Sequence, residues 1–385
     1  MGKVVINKDR LAQSFVGLVK IDSVSKEEGA LCRFLQTRLS RLGVETLVDD
    51  AGVAVGGDSG NLIGRFHGNR TVAPLLLSAH MDTVEPGRGV RPVLVDGIFR
   101  SGGETVLGAD DKCGIAIILE ALACIVQDRR PCGPLELVFS VCEEIGLQGA
   151  KHLAYDQLTA RMGYVLDTRN PEVIITRAPA AHRITLQVDG KAAHAGAEPE
   201  KGVNAIALAA KAIAALELGR IDAETTCNIG IIEGGVATNI VPAKVVIQGE
   251  VRSHDRAKLS SVTDNIVQAF QKAVNESKAE RNGFTAELSV EVALDFDLLA
   301  VPQDHDVVKL AHQAAANLHR KIYTASSGGG SDANILNQHG IAAGVLGTGC
   351  ENVHTVQERV ALDDMVRAAE LLVEIIRIHA ETTTT

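Results

Sequence analysis

The sequence predicts an α/β fold in two parts: a layered domain on a largely parallel sheet, and a βαββαβ domain inserted into it. Three observations carry that prediction. Apolar runs bounded by turn residues alternate with helix-period segments through the first half of the chain. After Pro179 the pattern changes to period-two stretches and two amphipathic helices in a different order. From residue 297 the chain returns to α/β character. Its 385 residues also exceed the size at which one core usually keeps growing. Two domains are therefore expected, one from 1–178 with 297–385 and one at 179–296.

In the first part, Leu75 to Ala79, Leu135 to Val141 and Tyr164 to Leu166 read as strands. Each runs directly into polar residues: His80-Met81-Asp82, Glu143-Glu144 and Asp167. In open α/β sheets the carboxyl ends of strands form the ligand crevice, so these polar ends converge on one place. The apolar stretch from Cys113 to Val126 contains Glu120 and is too short to span a bilayer, so it is taken as a buried helix.

In the insert, Ile184 to Val188, Cys227 to Ile232, Val245 to Val251 and Ala286 to Val292 read as strands. Val203 to Leu216 and Leu259 to Val274 read as helices, which completes the ferredoxin-like split motif. Leu259, Val262, Ile266, Phe270 and Val274 keep the spacing of one buried face. Beyond the insert comes a loop from Ser327 to Asp332, whose glycines offer backbone freedom, then a strand from Ala342 to Leu346. The closing helix has Met365, Ala369, Leu372, Val373 and Ile376 on its inner face, and Thr382 to Thr385 is expected to fray.

Composition narrows the function classes. A formal net charge of -10 and an isoelectric point near 5.7 repel phosphate backbones and anionic membranes. Aromatics at 3% with no Trp leave little to stack on bases. No basic stretch followed by an apolar run marks an export signal, and Ile6 stands where a myristoylation signal needs Ser or Thr. The seven cysteines are odd in number and scattered in apolar surroundings, without CxxC spacing. They predict reduced core thiols in a cytoplasmic protein and no thiolate zinc site. A small-molecule or short-peptide partner is expected, with no nucleic acid and no membrane.

Taken one at a time, the polar clusters have ordinary explanations. A His-x-Asp pair at a strand end is commonly a hydrogen-bonded turn, and Asp110-Asp111 before a helix is commonly a cap. Glu143-Glu144 differs, because it follows a run expected to be buried, where unpaired charge is costly. As a set, His80, Asp82, Asp110, Asp111, Glu143, Glu144, Asp167 and His354 provide the imidazole and carboxylate donors that zinc, cobalt or manganese need. The set suits two cations, with one carboxylate able to bridge them.

Ser78-Ala79-His80-Met81-Asp82-Thr83, Gly108-Ala109-Asp110-Asp111-Lys112-Cys113-Gly114, Glu143-Glu144-Ile145-Gly146, Asp167 and Glu351-Asn352-Val353-His354-Thr355 together resemble the co-catalytic zinc exopeptidases. That family includes tripeptidase T, carboxypeptidase G and the aminoacylases. The similarity spans nearly the whole chain. Gly-Ala-Asp-Asp-Lys, in place of the Asp-Met-Lys common elsewhere, looks most like tripeptidase T and its relatives.

The resemblance implies a zinc-exopeptidase-like three-layer catalytic domain with a lid. It makes Asp110 the bridging carboxylate, with His80 and Asp167 completing one metal site and Glu144 and His354 the other. Glu143 becomes the general base for a metal-bridging hydroxide, and Asp82 accepts the second ring N–H of His80. A cis peptide between Asp110 and Asp111 is also implied. Cys113 departs from the family's usual Ala and places a thiol near the metals, open to oxidation. In the lid, His194 matches the histidine that stabilises the oxyanion across the interface of dimeric members, so a homodimer through the lid is implied. Arg252 matches the site that binds a substrate carboxylate, a task for which a two-pronged guanidinium is suited. Asn239 and the loop containing Gly329 match substrate-contacting segments.

The resulting expectation is a tripeptidase-like aminopeptidase. One alternative keeps the metals and changes the substrate, giving an N-acyl amino acid amidohydrolase or a carboxypeptidase. A second is a non-catalytic peptide-binding protein on the same fold, which the full ligand set opposes. A nucleotide-binding oxidoreductase fits least, because no G-x-G-x-x-G follows the first strand.

Overall fold

Runs such as Leu-Leu-Leu-Ser-Ala-His, with no polar alternation, suit strands covered on both faces. In the computed structural model, which describes residues 5–278 and 284–382, the Leu75–His80 and Leu135–Ser140 strands are buried throughout. Of the run Thr382 to Thr385, the last three residues lie outside the described residues. The chain divides into two units. The first holds the residues up to Arg177, Leu299–Ser327 and those from Ser331 onward; the second holds Ala178–Leu298 and Gly328–Gly330.

The first unit is built on a nine-stranded sheet. Leu75–His80 lies between Leu135–Ser140 and Met162–Thr168 and runs parallel to both, and Ala342–Gly347 continues the parallel set beside Met162–Thr168. Leu62–Phe66 and Val173–Ala178 flank this set antiparallel. The three strands expected to end in polar residues are therefore neighbours, with their carboxyl ends side by side.

The Ala109–Asp128 helix packs on the Leu75–His80 strand and against the Lys8–Val19 and Leu362–His379 helices. Surrounded in this way it is apolar on nearly all sides, and residues Cys113 to Leu122 are buried without a break. Gly114 permits the close fit. A Cβ there would lie 2.4 Å from Asp111 Oδ1 and 2.5 Å from the Leu166 carbonyl oxygen. On the closing helix, Met365, Ala369, Leu372, Val373 and Ile376 are all buried.

A feature not anticipated from sequence is a small antiparallel sheet of Cys350–Glu351, Arg359–Ala361, Ile98–Ser101 and Pro92–Val95. Its first two strands hold the base of the loop that carries His354.

The second unit is a five-stranded antiparallel sheet in the order Gly219–Arg220, Thr225–Gly234, Lys244–Ser253, Ala180–Asp189, Glu287–Phe296. The Ala205–Ala214 and Arg256–Lys278 helices pack on it. The element order is the expected βαββαβ with a short Gly219–Arg220 strand added. Its core joins Ile184, Leu186 and Val188 of the sheet to Leu259, Ile266, Phe270 and Val274 of the long helix. Each such buried side chain contributes roughly 1.5–3 kcal/mol. In the Gly-rich loop none of Gly328 to Gly330 has a positive φ, and space demands glycine at Gly330 only. A Cβ on Gly330 would lie 2.5 Å from the Phe296 ring. Among the described residues no helix is long and apolar enough to cross a membrane.

Candidate metal centre

His80 is the last residue of its strand, Glu143 and Glu144 lie three and four residues beyond Ser140, and Asp167 sits near the end of Met162–Thr168. Asp110 lies in the first turn of the Ala109–Asp128 helix, next to a cis peptide bond with Asp111. His354 comes from the loop between the two short strands, with φ 62°. A histidine in the left-handed region is held there by its surroundings, a condition that clusters at functional sites.

These segments converge. The ligand atoms of His80, Asp110 and Glu144 lie within 4.8 Å of one another. His80 Nε2 is 3.1 Å from Asp110 Oδ1, and His354 Nε2 is 3.4 Å from Asp110 Oδ2. His354 Nε2 is also 3.1 and 3.0 Å from the two Glu144 carboxylate oxygens. One carboxylate thus turns its two oxygens to two different imidazoles. Asp167 lines a cleft with Asp110, Arg169, Thr348, Cys350 and Asn352.

Asp82 is fully buried, and its role is wider than expected. The nearest acceptor of His80 Nδ1 is the Asp82 backbone carbonyl at 2.9 Å, with the Asp82 carboxylate at 3.3 Å. That carboxylate is drawn aside because it accepts the backbone N–H of Glu143 at 2.9 Å, that of Glu144 at 3.2 Å and the Ser25 hydroxyl at 2.7 Å. It therefore fixes His80 and both glutamates together.

The electrostatics are those of a site short of positive charge. Burial pushes Glu143, Asp167 and Asp111 well above the usual carboxylate range, and neighbouring acids add to the effect. Burial also works to raise Asp110, but hydrogen bonds from His354 and His80 outweigh it and hold Asp110 below that range. His354 is raised to about 10 by its bonds to Asp110 and Glu144. Nitrogen and oxygen donors without thiolate, crowded and rich in negative charge, fit a pair of dications such as zinc.

Cys113 does not face the cluster as an open thiol. It is buried with its Sγ 2.7 Å from Cys350 Sγ, and burial raises both thiols, which favours the unreactive protonated form. All seven cysteines are free and buried.

The remaining expected site residues belong to the second unit. His194 Nδ1 accepts the backbone N–H groups of Gly196 at 3.2 Å and Ala197 at 3.1 Å, so the neutral ring carries its proton on Nε2. Asn239 is exposed, and its carbonyl accepts from Ala195 N at 3.0 Å. Arg252 pairs with Glu250 at 2.9 Å and stands over the Phe296 ring at 5.9 Å. Its Nε is buried without a hydrogen-bond partner. Gly329 leaves room beside it, since a Cβ there would lie 3.6 Å from Arg252 Nη1.

Three contacts escaped the sequence. Asp111 accepts the His80 backbone N–H at 3.2 Å, buried Asp332 takes a short hydrogen bond from Ser140, and Glu358 gathers three backbone N–H groups around Asp110. For Asp111 and Asp332 a signal was present, as each lies inside a motif already singled out. Glu358, within Gln357-Glu358-Arg359, has the pattern of a solvated surface.

Residues 76–378 match the profile of peptidase family M20/M25/M40. The chain belongs to that family and is a hydrolase of the peptidase class. It is 40% identical over 378 residues to the protein YqjE of Bacillus subtilis, covering 98% of this chain and 100% of that one. Its structure is similar to the aminopeptidase PepT of Bacillus cereus, with TM-score 0.87 at 39% identity over 98% of this chain and 100% of that one. It is similar also to a tripeptidase of Staphylococcus aureus, with TM-score 0.91 at 36% identity over the same shares of each chain.

Proposed function

We propose that this peptidase is a metal-dependent exopeptidase that acts on short peptides as a tripeptidase-like aminopeptidase. His80, Asp110 and Asp167 would hold one divalent cation, and Asp110, Glu144 and His354 the other. Zinc suits these donors best, and cobalt or manganese could also serve. The observation that carries the proposal is the Asp110 carboxylate, with one oxygen toward His80 and the other toward His354.

When bound, the two cations would supply Lewis-acid polarisation of the scissile carbonyl and lower the pKa of water in the site. Glu143 then takes a proton and returns it to the leaving amine. Asp82 holds the backbone of Glu143 and Glu144 in place. His194 offers its Nε2 proton to the carbonyl oxygen as negative charge grows there. Arg252 binds a substrate carboxylate, a task for which its two-pronged guanidinium is suited. The second unit acts as lid and as the homodimer contact, and the free thiols fit the cytoplasm.

The substrate choice is supported by similarity along nearly the whole chain to an aminopeptidase and a tripeptidase. A panel of free tripeptides, N-blocked peptides and acetylated amino acids tests it. Hydrolysis of the free tripeptides is expected. Activity confined to the blocked substrates would move the protein to the amidohydrolases or carboxypeptidases, and activity on none of them to the peptide-binding proteins.

A further inference from the structure

We propose that Glu358 is a positioning residue for the paired metal site, fastening the segment that carries Asp110 to the loop that carries His354. The inference rests on the proposed metal site. Glu358 is 2% exposed. Its Oε2 accepts the backbone N–H of Leu107 at 2.7 Å and of Gly108 at 2.8 Å, and its Oε1 accepts that of Asp110 at 2.9 Å. No Lys or Arg side chain forms an ion pair with it among the described residues, and these three bonds offset part of the cost of burying the carboxylate.

Of the three donors, Asp110 lies in the first turn of the Ala109–Asp128 helix, where backbone N–H groups lack partners within the helix, and Leu107 and Gly108 immediately precede it. Helix starts are usually capped by a side chain close in sequence. Here Gly108 is the capping residue and has no side chain to offer. The cap arrives instead from 250 residues further along the chain.

At its own end Glu358 closes a tight loop. Its backbone N–H donates to the Thr355 carbonyl at 3.0 Å, and the Thr355 hydroxyl donates to the Asn352 carbonyl at 2.7 Å. His354 lies inside that loop. The carboxylate therefore joins the backbone of one proposed ligand to the turn bearing another, and so sets the distance between Asp110 and His354. A bridging carboxylate tolerates little error in that distance, because metal–oxygen and metal–nitrogen bonds are short and directional.

Glu136 provides the control. It is also a buried carboxylate of the first unit that accepts backbone N–H groups, from Thr159 and Ala160 at 3.0 Å, together with the Thr159 hydroxyl at 2.6 Å. None of its partners is a proposed ligand. In Glu358→Gln the amide oxygen can serve only one side of the clamp, and the NH2 opposes an N–H on the other. Zinc affinity of purified protein, measured by competition with a chromogenic chelator, is expected to fall ~10–100-fold in Glu358→Gln, a range typical of residues that orient ligands. Glu136→Gln should lose thermal stability and keep wild-type zinc affinity. Glu358→Asp keeps the charge but shortens its reach. It should also bind zinc more weakly than wild type, and it provides the same readout if the Gln variant does not fold.

Wild-type zinc affinity in either Glu358 variant would overturn the proposal, as would an equal loss in Glu136→Gln, which would reduce the effect to general destabilisation. Wild-type protein that takes up no zinc would instead refute the metal site itself.

Discussion

At the residue scale, Glu143 and Glu144 illustrate how adjacent carboxylates acquire different tasks. Glu144 hydrogen-bonds His354, which pulls against the effect of its burial. Glu143 is raised by burial, the charges of Asp167 and Asp332 add to the rise against the pull of His80, and among the described residues no imidazole hydrogen-bonds to it. A carboxyl that readily holds a proton suits a shuttle, and one bonded to imidazole suits a ligand. Glu143→Gln preserves size and removes the titrating oxygen. Turnover is expected to fall by roughly 10²–10⁴-fold, the usual contribution of a positioned acid–base group, while the zinc content of the purified variant stays at the wild-type level. A variant that loses zinc along with turnover would make Glu143 a ligand rather than a base.

At the element scale, the site depends on the Ala109–Asp128 helix approaching the strand that carries Asp167. Gly114 marks the point of closest approach, with Asp111 Oδ1 and the Leu166 carbonyl oxygen where a methyl group would go. Gly114→Ala is expected to cost about 1–3 kcal/mol through overpacking and to weaken zinc binding, both read from thermal melts with and without zinc. A melt unchanged from wild type would show that the helix has room to move. Elements of this kind were legible in the sequence wherever one face or a whole strand is buried. Leu75–His80, Leu135–Ser140 and the Arg256–Lys278 helix declare themselves by apolar runs or a 3.6-residue period. The small sheet beneath His354 was not legible. Its strands are two to four residues long, too short for any periodicity, and its two hairpins pair with each other across some 260 residues of chain. Glu358 was hidden for the same reason, since a glutamate between Gln and Arg gives no sign of a buried partner so distant in sequence.

At the scale of the whole molecule, a chain of net charge -10 concentrates buried acids at the carboxyl ends of three adjacent strands. Burial and mutual repulsion raise Glu143, Asp167 and Asp111, a cost that cations can offset. Two cations sharing one carboxylate would meet that need, and Asp110 is the group placed to be shared. Zinc titration of metal-free wild type and of Asp110→Ala, followed by calorimetry, tests this most directly. Wild type should bind two equivalents, and Asp110→Ala should lose tight binding of both, since each proposed site uses one of its oxygens. A single equivalent in wild type, or two retained tightly in Asp110→Ala, would contradict the shared carboxylate.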